Sequence, residues 1–80
     1  ITSYIMINVI YAEKTNKIGE DNHKVIMTDF NALFVPRKGD LINFKGLMVD
    51  LEDWNKEKTH KVHDVEFMPP NNILIYVYRE

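Results

Sequence analysis

The chain has 80 residues, of which 45% are hydrophobic and 28% charged, and it contains no cysteine. This composition indicates a single folded domain over residues 1–80 and excludes a disulfide framework or a thiolate metal cluster. The formal net charge of −2 argues against nucleic acid as the default partner, because that affinity comes mostly from neutralising phosphates. No apolar run approaches the ~20 residues that span a bilayer. We therefore expect a soluble cytoplasmic domain, with leader residues preceding Ile1.

The first half of the chain predicts two strands joined by a polar loop. The run SYIMINVIYAEK is rich in β-branched and aromatic residues and carries apolar side chains at odd and even positions. A loop, TNKIGEDN, follows it. The segment HKVIMTDF then resumes an extended pattern, with Val25 and Met27 on one side and Ile26 on the other. Pro36 ends this region, because proline cannot donate to a strand ladder.

The segment GLMVDLEDWNKEK fits two structures. Leu47, Val49 and Leu51 alternate with other residues, as they would in a strand. Leu47, Leu51 and Trp54 are also spaced as one stripe of a helix. The sequence alone leaves both alternatives open, a strand or a short helix near 47–58.

The last third of the chain predicts a hairpin with one irregular strand. Val65 and Phe67 share a face, but strict alternation places Val62 on the opposite one. An extra residue near His63 or Asp64 would return all three apolar side chains to a common face, as a β-bulge does. The sequence therefore predicts a bulge at this point, followed by a turn at MPPNN and the strand ILIYVYRE.

These segments add up to five or six short strands with turns between them. The pattern is typical of a mainly β domain, a small antiparallel barrel or a strongly twisted meander. A turn is expected between Pro36 and Asp40, where Gly39 can adopt positive φ and Asp40 can accept hydrogen bonds from backbone amides.

The turn FVPRKGDLINF resembles a segment of SH3-like barrels, in which a Gly-Asp pair starts the second strand of the core meander. The later HKVHDVEF and NILIYVYRE are similar to the hairpin that completes such barrels. This resemblance implies the SH3-like architecture. It does not imply polyproline binding, because the chain has one tryptophan and no Ala-Leu-Tyr-Asp-Tyr-like run. The pattern PR-x-GD followed by V-x-x-V-x-F is also similar to small uncharacterised bacterial and phage proteins.

Catalytic and metal-binding patterns are weak in this sequence. There is no cysteine nucleophile, and only three glycines are present to form a phosphate-binding loop. His60 and His63 are three residues apart and point to opposite faces of a strand. A metal site would need the bulge and a further ligand such as His23. We therefore predict no enzyme activity, no metal and no cofactor.

The two-sided apolar character of the first and last strands is the strongest functional signal. A half-buried strand has one polar face, whereas both faces of ILIYVYRE are apolar before Arg79. Either the 47–58 segment or a protein partner must cover the second face. The sequence thus predicts a small non-enzymatic binding module that acts through protein–protein contacts, as an adaptor or inhibitor of the kind phages encode, and that self-associates as a homodimer. Its predicted partner-binding residues are Tyr4, Met6, Leu74, Tyr76 and Tyr78.

Nucleic-acid binding is the alternative prediction. Small barrels bind single strands by stacking bases on aromatic side chains beside a cationic groove. Cations and aromatic residues do cluster in the middle of this chain, although the acids of VDLEDW interrupt them. The candidate residues of this alternative are Arg37, Lys38, Phe44, Trp54, Lys56, Lys58 and Lys61.

Overall fold

The structure, a computed structural model, describes residues 6–14 and 23–80. Within these residues, five strands form one curled, half-barrel sheet that is accompanied by one short helix. The mainly β class is therefore confirmed, and the fold is compatible with an SH3-like barrel only in the general sense of a small curled sheet. The elements in chain order are β1 (Asn8–Lys14), β2 (His23–Asp29), β3 (Leu41–Asn43), α1 (Asp53–Lys56), β4 (Thr59–Met68) and β5 (Asn72–Arg79).

Two expectations concern residues outside the described ranges. They are the partner role of Tyr4 and the polar loop TNKIGEDN between β1 and β2. In the part of the chain that the structure describes, no helix is long and apolar enough to cross a lipid bilayer.

The strand order is β2-β1-β5-β4-β3, and β1 pairs with β5 in parallel. The other neighbours, β1 with β2, β3 with β4 and β4 with β5, are antiparallel. The expectation of antiparallel pairing is therefore wrong for β1 and β5. Parallel neighbours require a long connection, and here the chain between them contains β2, β3, α1 and β4. This long connection allows β1 and β5, the first and last of the described strands, to lie side by side.

The predicted bulge in the last hairpin is confirmed. The register between β4 and β5 shifts between Val62 and Asp64, so that His63 is the extra residue. Beyond the bulge, the apolar residues of β4 again face those of β5. The resulting cross-strand pairs are Val62 with Val77, Val65 with Ile75, and Phe67 with Ile73.

A second bulge, in β2, was not predicted. Val25 lies opposite Ala12 and Met27 lies opposite Tyr11, which leaves Ile26 as the extra residue. The expectation that Val25 and Met27 share one side is therefore wrong. The bulge turns Ile26 into the core, where it is 4% exposed, and leaves Val25 56% exposed.

The core lies on one side of the sheet, which we call the inner face. Its aromatic centre is Phe44, whose ring meets Tyr11 edge-on at a centroid distance of 5.7 Å. Burial of these side chains is the main stabilising contribution that so small a domain has. The buried cluster comprises Val9, Tyr11, Ile26, Phe44, Val62, Ile75 and Val77.

The segment 47–58 forms neither a strand nor a full helix. It contains only the four-residue helix α1, which confirms the short helix that was one of the two alternatives. Val49 and Leu51 pack against the core cluster, whereas Leu47 and Trp54 are exposed. The stripe of Leu47, Leu51 and Trp54 expected of a longer helix is therefore not formed as one packed surface.

A buried polar network anchors this segment to the inner face. The side-chain amide of Asn55 donates to both carboxylate oxygens of Glu13, each at 3.1 Å. His60 is fully buried, and its Nε2 lies 3.3 Å from a Glu13 oxygen, although without the alignment of a hydrogen bond. Its Nδ1 is 3.1 Å from the Lys58 carbonyl, which can only accept, so Nδ1 carries a proton. Glu13 therefore links β1 to α1 and to the start of β4.

The burial pattern predicts which apolar side chains hold the fold together. Ile75 is completely buried, whereas Leu33 is 89% exposed. We expect Ile75→Ala to lower the free energy of unfolding by about 2–5 kcal/mol, because it removes a core contact and leaves a cavity. The matched control Leu33→Ala should change it by no more than about 0.5 kcal/mol. Urea denaturation measures both values, and similar losses for the two variants would contradict this core.

Candidate functional site

The candidate site lies on the outer face, the side of the sheet opposite the core. Leu74, Tyr76 and Tyr78 alternate along β5 with core residues and therefore project from this face. On the adjacent strand, Ile10 lies opposite Leu74 and Ala12 lies opposite Tyr76. Three of the predicted partner-binding residues thus share one surface, and the neighbouring strand extends it.

Four aromatic and imidazole rings meet on this face. We call His23, His63, Tyr76 and Tyr78 the ring cluster. The ring centroids of His23 and Tyr76 are 4.4 Å apart, and those of His23 and His63 are 6.0 Å apart in a stacked arrangement. His63 also lies 5.8 Å from Tyr76 and 5.7 Å from Tyr78. The small side chain of Ala12 lies between β2 and β5, which leaves room for the rings to meet above it.

Cations border the ring cluster on two strands. Lys14 lies opposite His23 on the neighbouring strand, and Lys61 lies opposite Tyr78. Lys14 and Lys38 are also close enough to His63 for their charges to act on it. The cluster is therefore flanked by positive charge at its β1 side and near the start of β4.

Two carboxylates lie beside Tyr76 on the β4 side. Asp64 lies directly opposite Tyr76 on β4, and the Tyr76 hydroxyl donates a 2.8 Å hydrogen bond to Glu66. This hydrogen bond is the main reason that the pKa of Tyr76 is raised, with smaller contributions from burial and from the charges of Glu66 and Asp64. Tyr76 therefore stays neutral at neutral pH, and Glu66 of β4 holds its hydroxyl group while its ring contacts His23.

His63 lies in an environment that disfavours its charged form. Its pKa is lowered, first by burial and then by the charges of His23 and Lys14, while Asp64 opposes the shift. Its Nε2 atom is buried and has no hydrogen-bond partner. At neutral pH the imidazole is thus an uncharged ring between its neighbours.

The bulge that a metal site would have required does bring two histidines together. His63 approaches His23, but His60 lies in the core and faces Glu13. Among the described residues, no group of three or more His, Asp or Glu side chains is placed to hold a metal ion.

A groove of about 650 Å³ continues from His63 and Tyr78 toward Trp54 and Arg79. The Arg79 guanidinium lies over the Trp54 ring, 4.9 Å from its centroid, in a cation–π contact. The groove therefore connects the ring cluster with the exposed aromatic side chain of α1.

The segment 47–58 lies on the other side of the sheet. Leu51 contacts the core, and Asn55 binds Glu13 on the inner face. The alternative in which this segment covers the second apolar face is therefore wrong. Of the remaining predicted partner residues, Met6 is exposed ahead of β1, and its carbonyl accepts a 3.0 Å hydrogen bond from the Asn71 side chain.

The turn at Pro36–Asp40 has the predicted structural features. Gly39 has a φ of 94°, and the Asp40 carboxylate accepts a 2.8 Å hydrogen bond from the backbone amide of Arg37. Arg37 and Lys38 are exposed at its tip. The residues that the sequence singled out here therefore have a clear structural role as a turn.

The residues of the nucleic-acid alternative do not come together. Phe44 is 1% exposed, so its ring has no free face for a base. Trp54 lies at the groove beside Arg79, Lys56 is 3.9 Å from Asp53 on α1, and Lys61 belongs to the outer face. The remaining candidates, Arg37, Lys38 and Lys58, are exposed in turns or next to the helix.

Sequence reasoning missed the histidines and Lys14 as parts of the site. His63 could have been placed on the outer face, because the predicted bulge reverses its side. The approach of His23 to these rings could not have been predicted from the sequence. It depends on the pairing of β2 with β1 and on the small Ala12 between the rings.

The environment of His63 predicts acid-sensitive stability. Because its pKa is lowered from 6.5 in the folded chain, the unfolded chain binds a proton more readily. Neutral His63 therefore contributes fully to the free energy of unfolding above pH 6.5. This contribution is lost as the pH falls through the folded-state pKa. We expect His63→Gln to reduce the dependence of unfolding free energy on pH between about 7.5 and 5.

Urea denaturation at several pH values measures this dependence. The control is His23→Gln, which removes one of the repelling charges but leaves His63 half-buried, and it should reduce the dependence less. An unchanged dependence in His63→Gln would contradict this description of the site.

Comparisons with protein-family models, with curated protein sequences and with solved structures found no significant match. The resemblance to SH3-like barrels is accordingly supported at the level of a small, curled, mainly β sheet.

Proposed function

We propose that this chain is a small non-enzymatic binding module that acts through protein–protein contacts at its outer face. The observation that carries the proposal is the set of Leu74, Tyr76 and Tyr78 on one side of the sheet, with the 47–58 segment on the other. On this face Val25 is 56% exposed and Tyr78 is 37% exposed. A partner bound there would cover these two side chains together with the partly exposed Ile10, Leu74 and Tyr76.

The composition of the outer face fits a protein interface. Tyrosine is enriched at interface cores, and the rim of an interface is polar. One aromatic side chain can bury about 150–250 Å², and a standard interface buries about 800 Å² per partner. Ile10, Leu74 and Tyr76 are already partly buried within the chain, so the apolar side chains supply part of that area and the charged residues around them must supply the rest.

The SH3-like resemblance enters this proposal as architecture, without the polyproline groove of peptide-binding SH3 domains. An adaptor or inhibitor role in the cytoplasm, of the kind that phages encode, belongs to this proposal as the form that protein–protein contact at the outer face would take. Self-association belongs to the same proposal, since a second copy is one possible protein partner.

Single-stranded nucleic acid is the second candidate ligand for this face. The observation in its favour is the ring cluster with Lys14 and Lys61 beside it, because stacked rings next to cations bind bases and phosphates. Asp64 and Glu66 on the same face would repel phosphate. The net charge of −2 also provides little general attraction, so this candidate ranks second.

Removal of both tyrosine rings tests the proposal. We expect the double variant Tyr76→Ser/Tyr78→Ser to remain folded and to lose contact with the protein partner, because these rings lie outside the core. Size-exclusion chromatography with light scattering measures self-association. Affinity capture with wild-type and variant baits measures foreign partners. The control Met48→Ser changes a side chain that is 98% exposed in the segment on the other side of the sheet.

The competing ligand is tested with the same variants. Gel shifts with mixed-sequence single-stranded DNA and RNA at low and moderate salt would reveal a nucleic-acid ligand. A salt-sensitive shift that the double variant loses, together with unchanged protein contacts, would replace the proposed function by the second candidate.

A further inference from the structure

We infer that the partner at the outer face is a second copy of this chain, docked about a two-fold axis through Tyr76, so that Lys14 of each copy faces Glu66 of the other. This inference rests on the proposed function and names its partner. The evidence for it is the arrangement of charges around Tyr76. A surface that binds a second copy of itself must carry both a charge and the opposite charge that pairs with it.

The sheet register places Lys14 and Glu66 symmetrically about Tyr76. The central row across three strands is Ala12, Tyr76 and Asp64. Lys14 lies one strand to one side of Tyr76 and two residues further along. Glu66 is opposite Leu74, so it lies one strand to the other side and two residues back. The strand spacing and residue rise put each charge about 8 Å from Tyr76 in the plane of the sheet.

A two-fold axis can exploit this symmetry when two outer faces pack together. The axis must lie in the plane of the interface, because it exchanges the copies above and below that plane. If it passes through Tyr76 at right angles to the line from Lys14 to Glu66, each lysine meets the partner copy's glutamate. The contact is made twice, as in any isologous dimer.

The same rotation matches the remaining side chains of the face. It carries Asp64 toward Lys61 of the other copy, so that this second pair of contacts also joins a negative and a positive charge. On the opposite side of Tyr76 it brings Ile10 toward Val25 of the other copy, and Val25 is more than half exposed. The rotation thus joins opposite charges on one side of Tyr76 and apolar side chains on the other, and protein interfaces combine both kinds of contact.

A foreign partner explains this pattern less well. A surface that binds another protein needs the complement of that protein, and nothing requires its own cations and anions to be related by symmetry. Here both signs are present at matched positions around one ring. The net charge of −2 is also small, so two copies repel each other only weakly at long range.

Charge reversal gives a direct test. We expect Lys14→Glu and Glu66→Lys each to weaken self-association by about tenfold or more at low salt, because each variant places two like-charge pairs in its own dimer. An equal mixture of the two variants should recover self-association, since every 14–66 contact in the mixed dimer again joins opposite charges. Sedimentation equilibrium at several concentrations measures the three affinities, and added salt should reduce the differences.

The control variants reverse the charge of one lysine and one glutamate that lie outside the outer face. Lys45→Glu and Glu57→Lys alter exposed residues in a turn and next to α1, so they should leave self-association unchanged. Thermal melting checks that every variant folds. If Glu66→Lys is unfolded because it loses the Tyr76 hydrogen bond, the pair Lys61→Glu and Asp64→Lys provides an independent test of the same axis, with the same recovery expected on mixing.

Two outcomes overturn the inference: a wild-type chain that is monomeric at every concentration, or variants that do not recover when mixed. If the wild type is monomeric but Tyr76→Ser/Tyr78→Ser abolishes capture of another protein, the second copy is the wrong partner and the proposed function stands. If the double variant changes no protein contact at all, both fail.

Discussion

The parallel pairing of β1 with β5 is the constraint on which the rest of this structure depends. It joins the β1–β2 hairpin to the β3–β4–β5 meander in one sheet. Both strands are therefore internal, and each must make contacts on two faces. On the inner face Val9 and Ile75 are completely buried. On the outer face the same two strands contribute Ile10, Leu74 and Tyr76, which is why strands in so small a domain are apolar on both sides.

The two bulges determine which side chains reach each face. In β2, Ile26 is the extra residue and turns into the core, while Val25 remains outside. In β4, His63 is the extra residue and joins the ring cluster, while Val62 is buried. A one-residue change of register reverses every following side chain in a strand, so the core and the candidate site are both products of these irregularities.

Local pattern predicted the features that depend on neighbours in sequence. The break in alternation at Val62 revealed the bulge in β4, and Gly39 revealed its turn. Period-two alternation placed Leu74, Tyr76 and Tyr78 on one face.

The bulge at Ile26 left no such signal, because Val25, Ile26 and Met27 are all apolar. The parallel pairing and the contact of His23 with His63 depend on strands far apart in sequence, which periodicity does not encode. Phe44 follows a strand and precedes Lys45, so its sequence context did not distinguish a core ring from an exposed one.

The two faces differ in how they are completed. The inner face is closed from within the chain, because Val49 and Leu51 pack on the core and Asn55 binds Glu13. This arrangement satisfies a half-buried carboxylate and fixes the only segment of 47–58 that is helical. A five-stranded sheet has two faces, and the connection that covers one cannot also cover the other. Against the described residues, Tyr78 is 37% exposed and Tyr76 is partly exposed. In the proposed dimer, the charges around them, positive toward Lys14 and negative toward Glu66, would orient the two copies.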